Sequence, residues 1–400
     1  MKRVLLLSNG HGEDLSASLI GDRLQASGVA LQALPLVGHG AAYRQAGIAV
    51  LGRTREFSTG GLGYTSLGGR LTELFQGQVS YLLGRLGLFL RQSRQADLVV
   101  VVGDVIPVLA AWLCRRPVVT YLVAYSSHYE GRLRLPWPCG GCLRSQRFRR
   151  VFSRDAFSAT DLTAQLGRPV RFLGNPFLDP ALAAAPPPDS EKHPAGPSAQ
   201  ALALLPGSRL PEAEHNLELM LQVLERLPAP LQQPDRLGLE AALVKGFQLE
   251  QIVALAARLG WRLEGRSLRR GPLELRLHWG RFPAVLQRAS LLLSMTGTAA
   301  EQAVGLGKPV MQLVGFGPQF TPAFAEAQRR LLGPSLACSA GEPGTEQSLG
   351  GTARLLSEQL EALVIGTDLA NRCRANGLER IGGPGGSARM AEQILAVLDD

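Results

Sequence analysis

The stretch LALLPGSRLPEAEHN, residues 202–216, reads as a buried strand that ends at Pro206 and passes through Gly-Ser-Arg into a helix. The first backbone N–H groups of a helix have no partner within the helix and point outward. A strand-to-helix turn of this kind can therefore hold an anion. The competing interpretation is an ordinary solvated turn, and the rest of the chain must decide between the two.

Apolar runs of strand length alternate with helical patterns throughout the chain, which is typical of parallel α/β structure. Doubly wound sheets bind ligands at the carboxyl ends of their strands, so two such sheets would face a cleft. The predicted strands are Val4–Leu7, Leu31–Val37, Leu98–Val102, Val118–Val123 and Val170–Leu173 in the first half, and Leu202–Leu205, Leu239–Val244, Leu273–Leu277, Leu291–Ser294 and Val310–Val314 in the second.

Four hundred residues exceed what one hydrophobic core usually accommodates, so we expect two domains. A Pro-, Ala- and Ser-rich segment separates the two series of strands and predicts a linker over 179–200. The predicted domains are therefore 1–178 and 201–384. A final helix, 385–400, is expected to cross back to the first domain.

The composition is that of a globular protein with an unusual excess of arginine. Only four of the 42 Lys and Arg residues are lysines, and the formal net charge is +9. Arginine suits phosphate and anionic surfaces because its guanidinium binds oxygens in pairs, although genomic composition explains the bias equally well. No basic block is interleaved with aromatic residues, so a nucleic-acid partner is not expected.

Five cysteines form no disulfide framework, and their low density is typical of a reducing cytoplasm. Cys139 and Cys142 form a C-x-x-C pair, but no second pair lies at zinc spacing and the setting is not that of a redox motif. No cluster has the spacing of metal ligands, so neither a metal nor another cofactor is expected. The segment MKRVLLLSNG reads as a first strand, not a signal peptide, and no apolar run is long enough to span a membrane.

One helical pattern, over residues 70–94, departs from the α/β alternation. Its apolar residues recur at helical spacing between 71 and 90, and Arg70, Arg85, Arg91 and Arg94 flank them. Two interpretations stay open for this element. It is either a core helix that covers the sheet or an interfacial helix that contacts an anionic membrane.

Two loops in the first half carry groups suited to acid–base chemistry. In SNGHGEDLSASL (8–19), Gly10 and Gly12 permit a tight turn around His11 and the close approach of a substrate, which Gly12 is expected to contact. Glu13 lies in the first helical turn and is, with His11 and Asp104, a candidate catalytic residue. An imidazole there can act as a base, although the loop can equally be a simple helix cap. Asp104 ends the strand ADLVVVVGD and can take a proton or cap the following helix.

In the second half, a buried strand ends at Thr296, Gly297 and Thr298, and a helix follows through Ala299, Ala300 and Glu301. Small residues, hydroxyls and unpartnered N–H groups predict a diphosphate-binding site here, although the segment lacks the Walker lysine pattern. The predicted site is completed by Gly207, Ser208 and Arg209, which would hold the same diphosphate from the opposite side. The sequence has no Asp-x-Asp pair, so arginine and helix ends must neutralise the charge.

LLPGSR (204–209), FLGNPFLD (172–179) and SMTGTAAEQAVGLGKPV (294–310) together resemble bacterial lipid-A-disaccharide synthase over nearly the whole chain. The resemblance implies a GT-B fold, in which two Rossmann-like doubly wound domains face a cleft. It also implies a hexosyltransferase that moves an acylated glucosamine from UDP to a lipid-linked acceptor at the cytoplasmic face of the membrane. The first domain would bind the acceptor, and the second would bind the UDP-sugar. Asn175 would contact substrate, Asp104 would be catalytic, and the 70–94 helix would contact the membrane.

The chain also departs from that family's pattern. The first loop reads Ser-Asn-Gly-His-Gly-Glu and retains only Gly12 and an acidic residue at Glu13. After the Thr-Gly-Thr turn the chain has Glu301-Gln302, so either residue would hold the ribose. These changes indicate a divergent branch, related to the synthase, whose acceptor and donor sugar need not be lipid A precursors.

The resulting prediction is an inverting displacement in which Asp104 or His11 takes the acceptor proton while Arg209 and the helix start stabilise the departing UDP. A UDP-sugar epimerase and a non-catalytic nucleotide-sugar or lipid-binding protein remain alternatives, and the oligomeric state is not predicted.

Overall fold

The computed structural model describes residues 1–52, 54, 78–183, 200–316, 321–364 and 368–400, apart from the side chains at 78, 79 and 183. The chain divides into two compact units. Unit 1 comprises 1–179 and 382–400, and unit 2 comprises 180–381. Each unit is built around its own mostly parallel sheet, so the predicted α/β class is confirmed.

Unit 1 contains a seven-stranded parallel sheet in the order β3-β2-β1-β4-β5-β6-β7. Its central strand, LVVVVG, is buried at every position, as expected where helices cover both faces of a parallel sheet. The strands are β1 (Arg3–Ser8), β2 (Ala30–Pro35), β3 (Ala49–Val50), β4 (Leu98–Gly103), β5 (Val118–Leu122), β6 (Phe148–Ser153) and β7 (Arg171–Phe172). The helices are α1 (His11–Ala26), α2 (Ala41–Gln45), α3 (Gln78–Ser93), α4 (Val105–Leu113), α5 (Cys139–Arg144), α6 (Ala156–Leu166) and the last helix of the chain, α15 (Gly386–Asp399). Helix α7 (Asp179–Ala183) begins at the last residue of the 1–179 segment and otherwise belongs to unit 2.

The last helix packs on α1 within unit 1. Met390 and Ile394 are buried in the same hydrophobic cluster as Ile20 and Leu24 of α1. The Asp179 carboxylate holds the start of α15, because it accepts hydrogen bonds from the backbone N–H groups of residues 385, 386 and 387 at 2.7, 3.2 and 2.9 Å. A carboxylate at a helix N-terminus also compensates the positive end of the helix dipole.

The predicted 70–94 helix is described only as α3, because residues 70–77 lie outside the described part of the chain. The described part combines features of both interpretations. Phe89 is fully buried in the core of unit 1, whereas Leu83 is 63% exposed. The expectation that Arg85 flanks the helix for an anionic surface is wrong, since its guanidinium is buried and donates to the carbonyls of Pro35 (2.6 Å) and Leu51 (2.9 Å).

Unit 2 contains an eight-stranded sheet in the order β10-β11-β12-β9-β8-β13-β14-β15. Its pairs are parallel, except that β11 runs antiparallel to both β10 and β12. The strands are β8 (Gln200–Leu205), β9 (Leu237–Leu243), β10 (Arg262–Glu264), β11 (Ser267–Arg270), β12 (Leu273–Trp279), β13 (Leu291–Ser294), β14 (Val310–Gln312) and β15 (Leu336–Cys338). The helices are α8 (Glu212–Leu224), α9 (Leu249–Arg258), α10 (Phe282–Arg288), α11 (Thr298–Gly305), α12 (Pro322–Leu332), α13 (Glu346–Val364) and α14 (Leu369–Arg380).

All ten predicted strands are present, with bounds that differ by a few residues. The pattern missed β6, because Arg149 and Arg150 interrupt its apolar run FRRVFS. It also missed the short strands β3, β10, β11 and β15 at or near the sheet edges. Most of the predicted linker, 184–199, lies outside the described residues.

Candidate functional site

The first group of predicted site residues lies at one edge of the unit 1 sheet. Strands β1 and β4 are neighbours, and Ser8 pairs with Val102. The loops that follow these two strands therefore emerge side by side at the carboxyl edge. Because β2 lies on the other side of β1, the strand order reverses here, which is where doubly wound sheets bind ligands.

Asp104 caps α4 and also takes part in this edge. One carboxylate oxygen accepts a hydrogen bond from the backbone N–H of Ile106 at 2.9 Å, and the other accepts one from the Asn9 amide at 3.1 Å. Burial raises the pKa of Asp104 above its usual value, although these hydrogen bonds lower it in part. Both sequence interpretations of Asp104, the helix cap and the proton acceptor, are therefore compatible with its geometry.

Glu13 lies near both Asp104 and His11. Burial raises the pKa of Glu13, and the charge of Asp104 adds to that effect. A backbone hydrogen bond and the charges of His11 and Arg154 act in the opposite direction. The His11 side chain is exposed and Glu13 is half-buried, while Gly12 lies between them in the first turn of α1. Glu13 thus links Asp104 and His11 electrostatically, and acidic groups with raised pKa values can accept and return a proton. The catalytic roles of the three residues stay a prediction.

The sequence reasoning assigned no role to several polar residues at this edge. Asn9 holds the Asp104 carboxylate, and Arg154, which directly follows β6, lies close enough to influence Glu13. Arg154 follows the one long strand that the pattern missed, so its place at this edge was hidden. Asn9 could have been identified from its position directly after β1.

A chain of buried polar groups lies behind His11. The Tyr43 hydroxyl donates to Ser8 Oγ at 2.7 Å, and the Ser8 hydroxyl donates to Asp14 Oδ1 at 2.6 Å. Burial raises the pKa of Asp14 to about 7, while the hydrogen bond from Ser8 and the charge of His11 oppose this shift. Oδ2 of Asp14 accepts no hydrogen bond from any residue that the structure describes. Asp14 is thus a buried carboxyl group that changes charge near neutral pH, one helical turn from His11.

Asn175 lies in the interior of unit 1. It is fully buried, accepts a hydrogen bond from the Tyr121 hydroxyl and donates to the backbone carbonyl of Arg154 at 2.9 Å. Substrate binding by Asn175 stays a prediction. The residue fixes the backbone at the end of β6, next to the Arg154 side chain.

The second group of predicted residues lies at the carboxyl edge of the unit 2 sheet. Strands β8 and β13 are parallel neighbours, with Leu205 opposite Ser294. Their following loops are joined by a hydrogen bond from the Met295 N–H to the Leu205 carbonyl at 2.9 Å. The loop at 206–209 and the loop at 295–298 therefore lie side by side, as the sequence reasoning required for a shared anion site.

The backbone of the first loop is held in place from two sides. Gly207 has φ +116°, a conformation that disfavours other residues, and a Cβ there would lie 3.4 Å from the Met295 carbonyl oxygen. The buried Asn216 amide donates to the Pro206 carbonyl at 2.7 Å. Beyond this fixed point, Ser208 and Arg209 are exposed to solvent. Their side chains can therefore reach a ligand.

Helix α11 begins at Thr298 without a side-chain cap. Glu301 N–H bonds the Gly297 carbonyl at 3.1 Å, so the N–H groups of Thr298, Ala299 and Ala300 precede the first intrahelical hydrogen bond. The Thr296 hydroxyl contacts Ser294 Oγ at 2.7 Å. An uncapped helix start whose preceding loop adjoins a loop with an exposed arginine is a suitable site for a diphosphate.

Glu301 and Gln302 lie in the first turns of the same helix and are only 9% and 8% exposed. Their side chains can present little polar surface to a ligand in this conformation. No three His, Cys, Asp or Glu side chains among the described residues group as metal ligands do.

No family model and no curated protein sequence matches this chain. Solved structures of the GT-B type do match it along its length. CalG4, the calicheamicin glycosyltransferase, is 18% identical with a TM-score of 0.61, and the match covers 100% of this chain and 98% of that one. UDP-N-acetylglucosamine 2-epimerase from Neisseria meningitidis, bound to UDP-N-acetylglucosamine, is 14% identical with a TM-score of 0.54 over 98% and 100% of the two chains. S. aureus MnaA in complex with UDP is 14% identical with a TM-score of 0.59 over 100% and 97%.

This chain therefore has the GT-B fold. Identities this low establish a shared architecture, and the residues of this chain must carry the argument for function.

Proposed function

We propose that this protein is a glycosyltransferase that moves a sugar from a UDP-sugar to a lipid-linked acceptor. The observation that carries the proposal is the pairing of two loops in unit 2, one with the exposed Arg209 and the other leading into the uncapped start of α11. A nucleotide diphosphate is the ligand whose charge and size suit this pair. The solved GT-B structures that contain UDP or a UDP-sugar support the same ligand class.

Unit 2 would bind the donor and stabilise the leaving group. Ser208, Arg209 and the N–H groups of residues 298–300 would hold the diphosphate oxygens, and Glu301 or Gln302 would contact the ribose after a small rearrangement. As the bond between the sugar C1 and the diphosphate oxygen breaks, the electron pair stays on that oxygen. Arginine and the helix dipole stabilise the resulting charge without a metal ion.

Unit 1 would supply the base. The acceptor hydroxyl attacks C1 from the face opposite to the leaving diphosphate, a new glycosidic bond forms, and the hydroxyl proton passes to Asp104 or His11. Inversion at C1 follows from this single displacement. The raised pKa values of Asp104 and Glu13 bring both carboxyl groups nearer to neutrality, where a base gives and takes protons most effectively.

The lipid acceptor is the finer part of the proposal and derives from the sequence resemblance. The resemblance implies a protein at the cytoplasmic face of a membrane. It also implies a donor of the UDP-glucosamine type, which is acylated in the lipid A pathway. Among the described residues, no helix is long and apolar enough to cross a membrane. Replacing Leu82, Leu83 and Leu86 of α3 with serine should weaken binding to anionic vesicles if α3 contacts the membrane, whereas unfolding would assign these leucines to the core.

The proposal is tested by incubating the purified protein with radiolabelled UDP-sugars and with membrane lipid extract. We expect label to enter the lipid fraction and UDP to be released only when lipid is present. Lipid analysis of a deletion strain then identifies the product that is lost. Tight UDP binding without transfer to any lipid would instead indicate a non-catalytic binding protein.

A UDP-sugar 2-epimerase is the second candidate. The likeness to the Neisseria meningitidis epimerase favours it, as does the presence of two neighbouring carboxyl groups, Asp104 and Glu13, at the unit 1 edge. This enzyme would act on UDP-N-acetylglucosamine with no lipid present. Formation of the epimer or of free UDP in lipid-free buffer therefore separates the two candidates.

A further inference from the structure

A concentration of positive charge lies in unit 1, in the segment from the end of α4 to the start of β6. Between residues 112 and 150 the sequence has eight arginines and a single acidic residue, Glu130. This short segment therefore carries most of the formal net charge of +9. Neither the proposed donor site nor the proposed base uses any of these arginines.

Three of these arginines line one cleft of about 410 Å³. Arg132, Arg134 and Arg144 are all exposed. The one acidic residue that lines the cleft compensates little of their charge, because Glu130 pairs with Arg134 at 3.8 Å and both side chains are well exposed, at 62% and 87%. The cleft therefore presents a positive surface to solvent.

Trp137 is in the same loop and is 92% exposed. The loop is nevertheless fixed on both sides of this residue. On one side, Leu133 is buried, and its backbone is held by α6: its N–H donates to Asp161 at 2.7 Å and its carbonyl accepts from Gln165 at 2.9 Å. On the other side, Cys139 is buried and its N–H donates to the Pro136 carbonyl at 2.8 Å. Trp137 is thus held outward by its surroundings.

The C-x-x-C pair contributes to this anchor. Cys139 and Cys142 are 0% and 4% exposed, and burial raises the pKa of the Cys139 thiol to about 12. A buried neutral thiol behaves as a small apolar side chain, so the pair packs under the loop as core residues and is not poised for thiolate chemistry. Asp161 holds the other end of the loop, and the hydrogen bonds that it accepts from Leu133, Gln165 and Ser127 lower its pKa despite its burial.

We propose that Arg132, Arg134, Trp137 and Arg144, here called the Arg–Trp patch, dock the protein on an anionic lipid bilayer. The arginines bind lipid phosphates, and the indole inserts at the level of the head groups, where tryptophan is enriched in membrane proteins. Charge complementarity selects an anionic membrane over a neutral one. The inference rests on the proposed function in one respect, since a lipid-linked acceptor requires contact with a bilayer. It assigns that contact to a surface other than α3.

The first experiment measures cosedimentation with vesicles that contain phosphatidylglycerol and with vesicles of phosphatidylcholine alone. We expect the wild-type protein to bind only the anionic vesicles. Each arginine near an anionic surface contributes about fivefold to partitioning, so R132S/R134S/R144S should lower it about a hundredfold. Because Arg144 also donates to the Gln165 carbonyl at 2.7 Å, the double variant R132S/R134S provides a version that leaves this contact intact.

The matched control is R236S/R262S/R266S, which removes the same charge from exposed positions in unit 2. This variant should bind anionic vesicles like the wild type. Equal loss in both triple variants would show that net charge alone drives binding and would overturn the patch. Unchanged binding of the double and triple patch variants would overturn it as well. If the patch variants lose binding to single-stranded RNA but keep their binding to vesicles, the partner of the patch is nucleic acid and the bilayer is rejected.

A second experiment locates Trp137 directly. In a Trp112→Phe background the remaining tryptophans besides Trp137 are Trp261, which is 2% exposed, and the half-buried Trp279. Brominated phosphatidylglycerol should quench the fluorescence of this variant strongly and should lose most of that effect after a further Trp137→Phe change. Absence of quenching would contradict insertion. UDP binding, measured on the same variants, is expected to be unchanged, so failure of the patch and failure of the donor site are distinguishable.

Discussion

The two carboxyl edges of this protein have the same strand-end geometry but opposite chemistry. At the unit 1 edge, three acidic residues surround an exposed histidine, and burial raises the pKa values of all three. At the unit 2 edge, the corresponding loops contain glycines, hydroxyls, one exposed arginine and an uncapped helix start. The first edge is suited to moving protons and the second to holding an anion.

This difference shows how the same strand-end geometry presents two different kinds of polar group. In both sheets the polar residues follow adjacent parallel strands, so the backbone supplies the same scaffold. Whether an edge exchanges protons or stabilises negative charge depends on how deeply its acidic groups are buried and on whether a helix start is left uncapped. Substitutions at one edge should therefore change a different measured quantity from those at the other.

The largest effect is expected from Asp104→Asn. The amide retains an oxygen that can accept the Ile106 N–H, so helix capping is preserved while the proton acceptor is lost. General-base loss costs on the order of 10²–10⁴ in rate, so kcat should fall by that amount with little change in UDP affinity. Steady-state kinetics and calorimetry measure the two quantities.

His11→Gln is the parallel variant, and the larger drop in kcat at unchanged UDP affinity identifies the base. Near-normal turnover in both variants would reject the assignment of a base to this edge. Loss of UDP binding in Asp104→Asn would contradict the division of roles between the two edges.

Asp14→Asn should change the pH dependence of stability. Because the folded-state pKa of about 7 lies above the ordinary value of 3.8, the wild-type protein loses stability through this group as the pH rises from about 4 to 7. At 1.36 kcal/mol per pKa unit, the loss is at most about 4 kcal/mol. The asparagine variant lacks this loss, so its free energy of unfolding should increase relative to that of the wild type as the pH rises.

Urea unfolding at a series of pH values measures this difference. Asp22→Asn, on the exposed side of the same helix, is the control. Its free energy of unfolding should follow the pH in parallel with that of the wild type. If the free energy of unfolding of Asp14→Asn runs parallel to that of the wild type over this pH range, the Asp14 carboxyl group titrates outside it.

Arg209→Ala should weaken UDP binding about ten- to a hundredfold, because a hydrogen bond to a charged group contributes ~1.5–3 kcal/mol. Arg236→Ala removes another exposed arginine of unit 2 and should leave the affinity unchanged. Calorimetry with UDP tests both. Equal affinities for wild type and Arg209→Ala would make Gly-Ser-Arg a surface turn and remove the anion site from the comparison.

Ser208→Ala should have the smallest effect. A neutral hydroxyl that bonds a phosphate oxygen contributes about 0.5–1.5 kcal/mol, so UDP affinity should fall about two- to tenfold. The pH profile of kcat should stay as in the wild type, because this residue lies at the edge that holds the anion. A shifted profile would mean that proton transfer is not confined to the unit 1 edge.

Much of this organisation is readable in the sequence because it depends on local patterns. The run of four valines that precedes Asp104 predicts a buried parallel strand, and a carboxylate after such a strand must lie at the carboxyl edge. The same reasoning correctly placed Gly207–Arg209 beside Thr296–Thr298. It failed where local signals were mixed, since Arg149 and Arg150 concealed β6, and with it the position of Arg154.

Other features depend on contacts between residues far apart in the chain. Arg85 reads as a surface charge on an amphipathic helix, yet its guanidinium reaches the Pro35 carbonyl, 50 residues away. Asn175 occupies a motif associated with substrate binding, and its amide bonds Tyr121, 54 residues away, and the backbone carbonyl of Arg154.

The sequence by itself therefore determined the fold class, the two series of strands and the loops that carry the functional groups, because strand periodicity and glycine-containing turns are local properties. Only the tertiary structure decided the state of those groups. Asn9 lies 95 residues from the Asp104 carboxylate it holds, and Tyr43 lies 35 residues from the Ser8 hydroxyl that bonds Asp14. Desolvation and Coulomb interactions depend on distance in space, so the proton chemistry of the unit 1 edge arises only when these segments pack together.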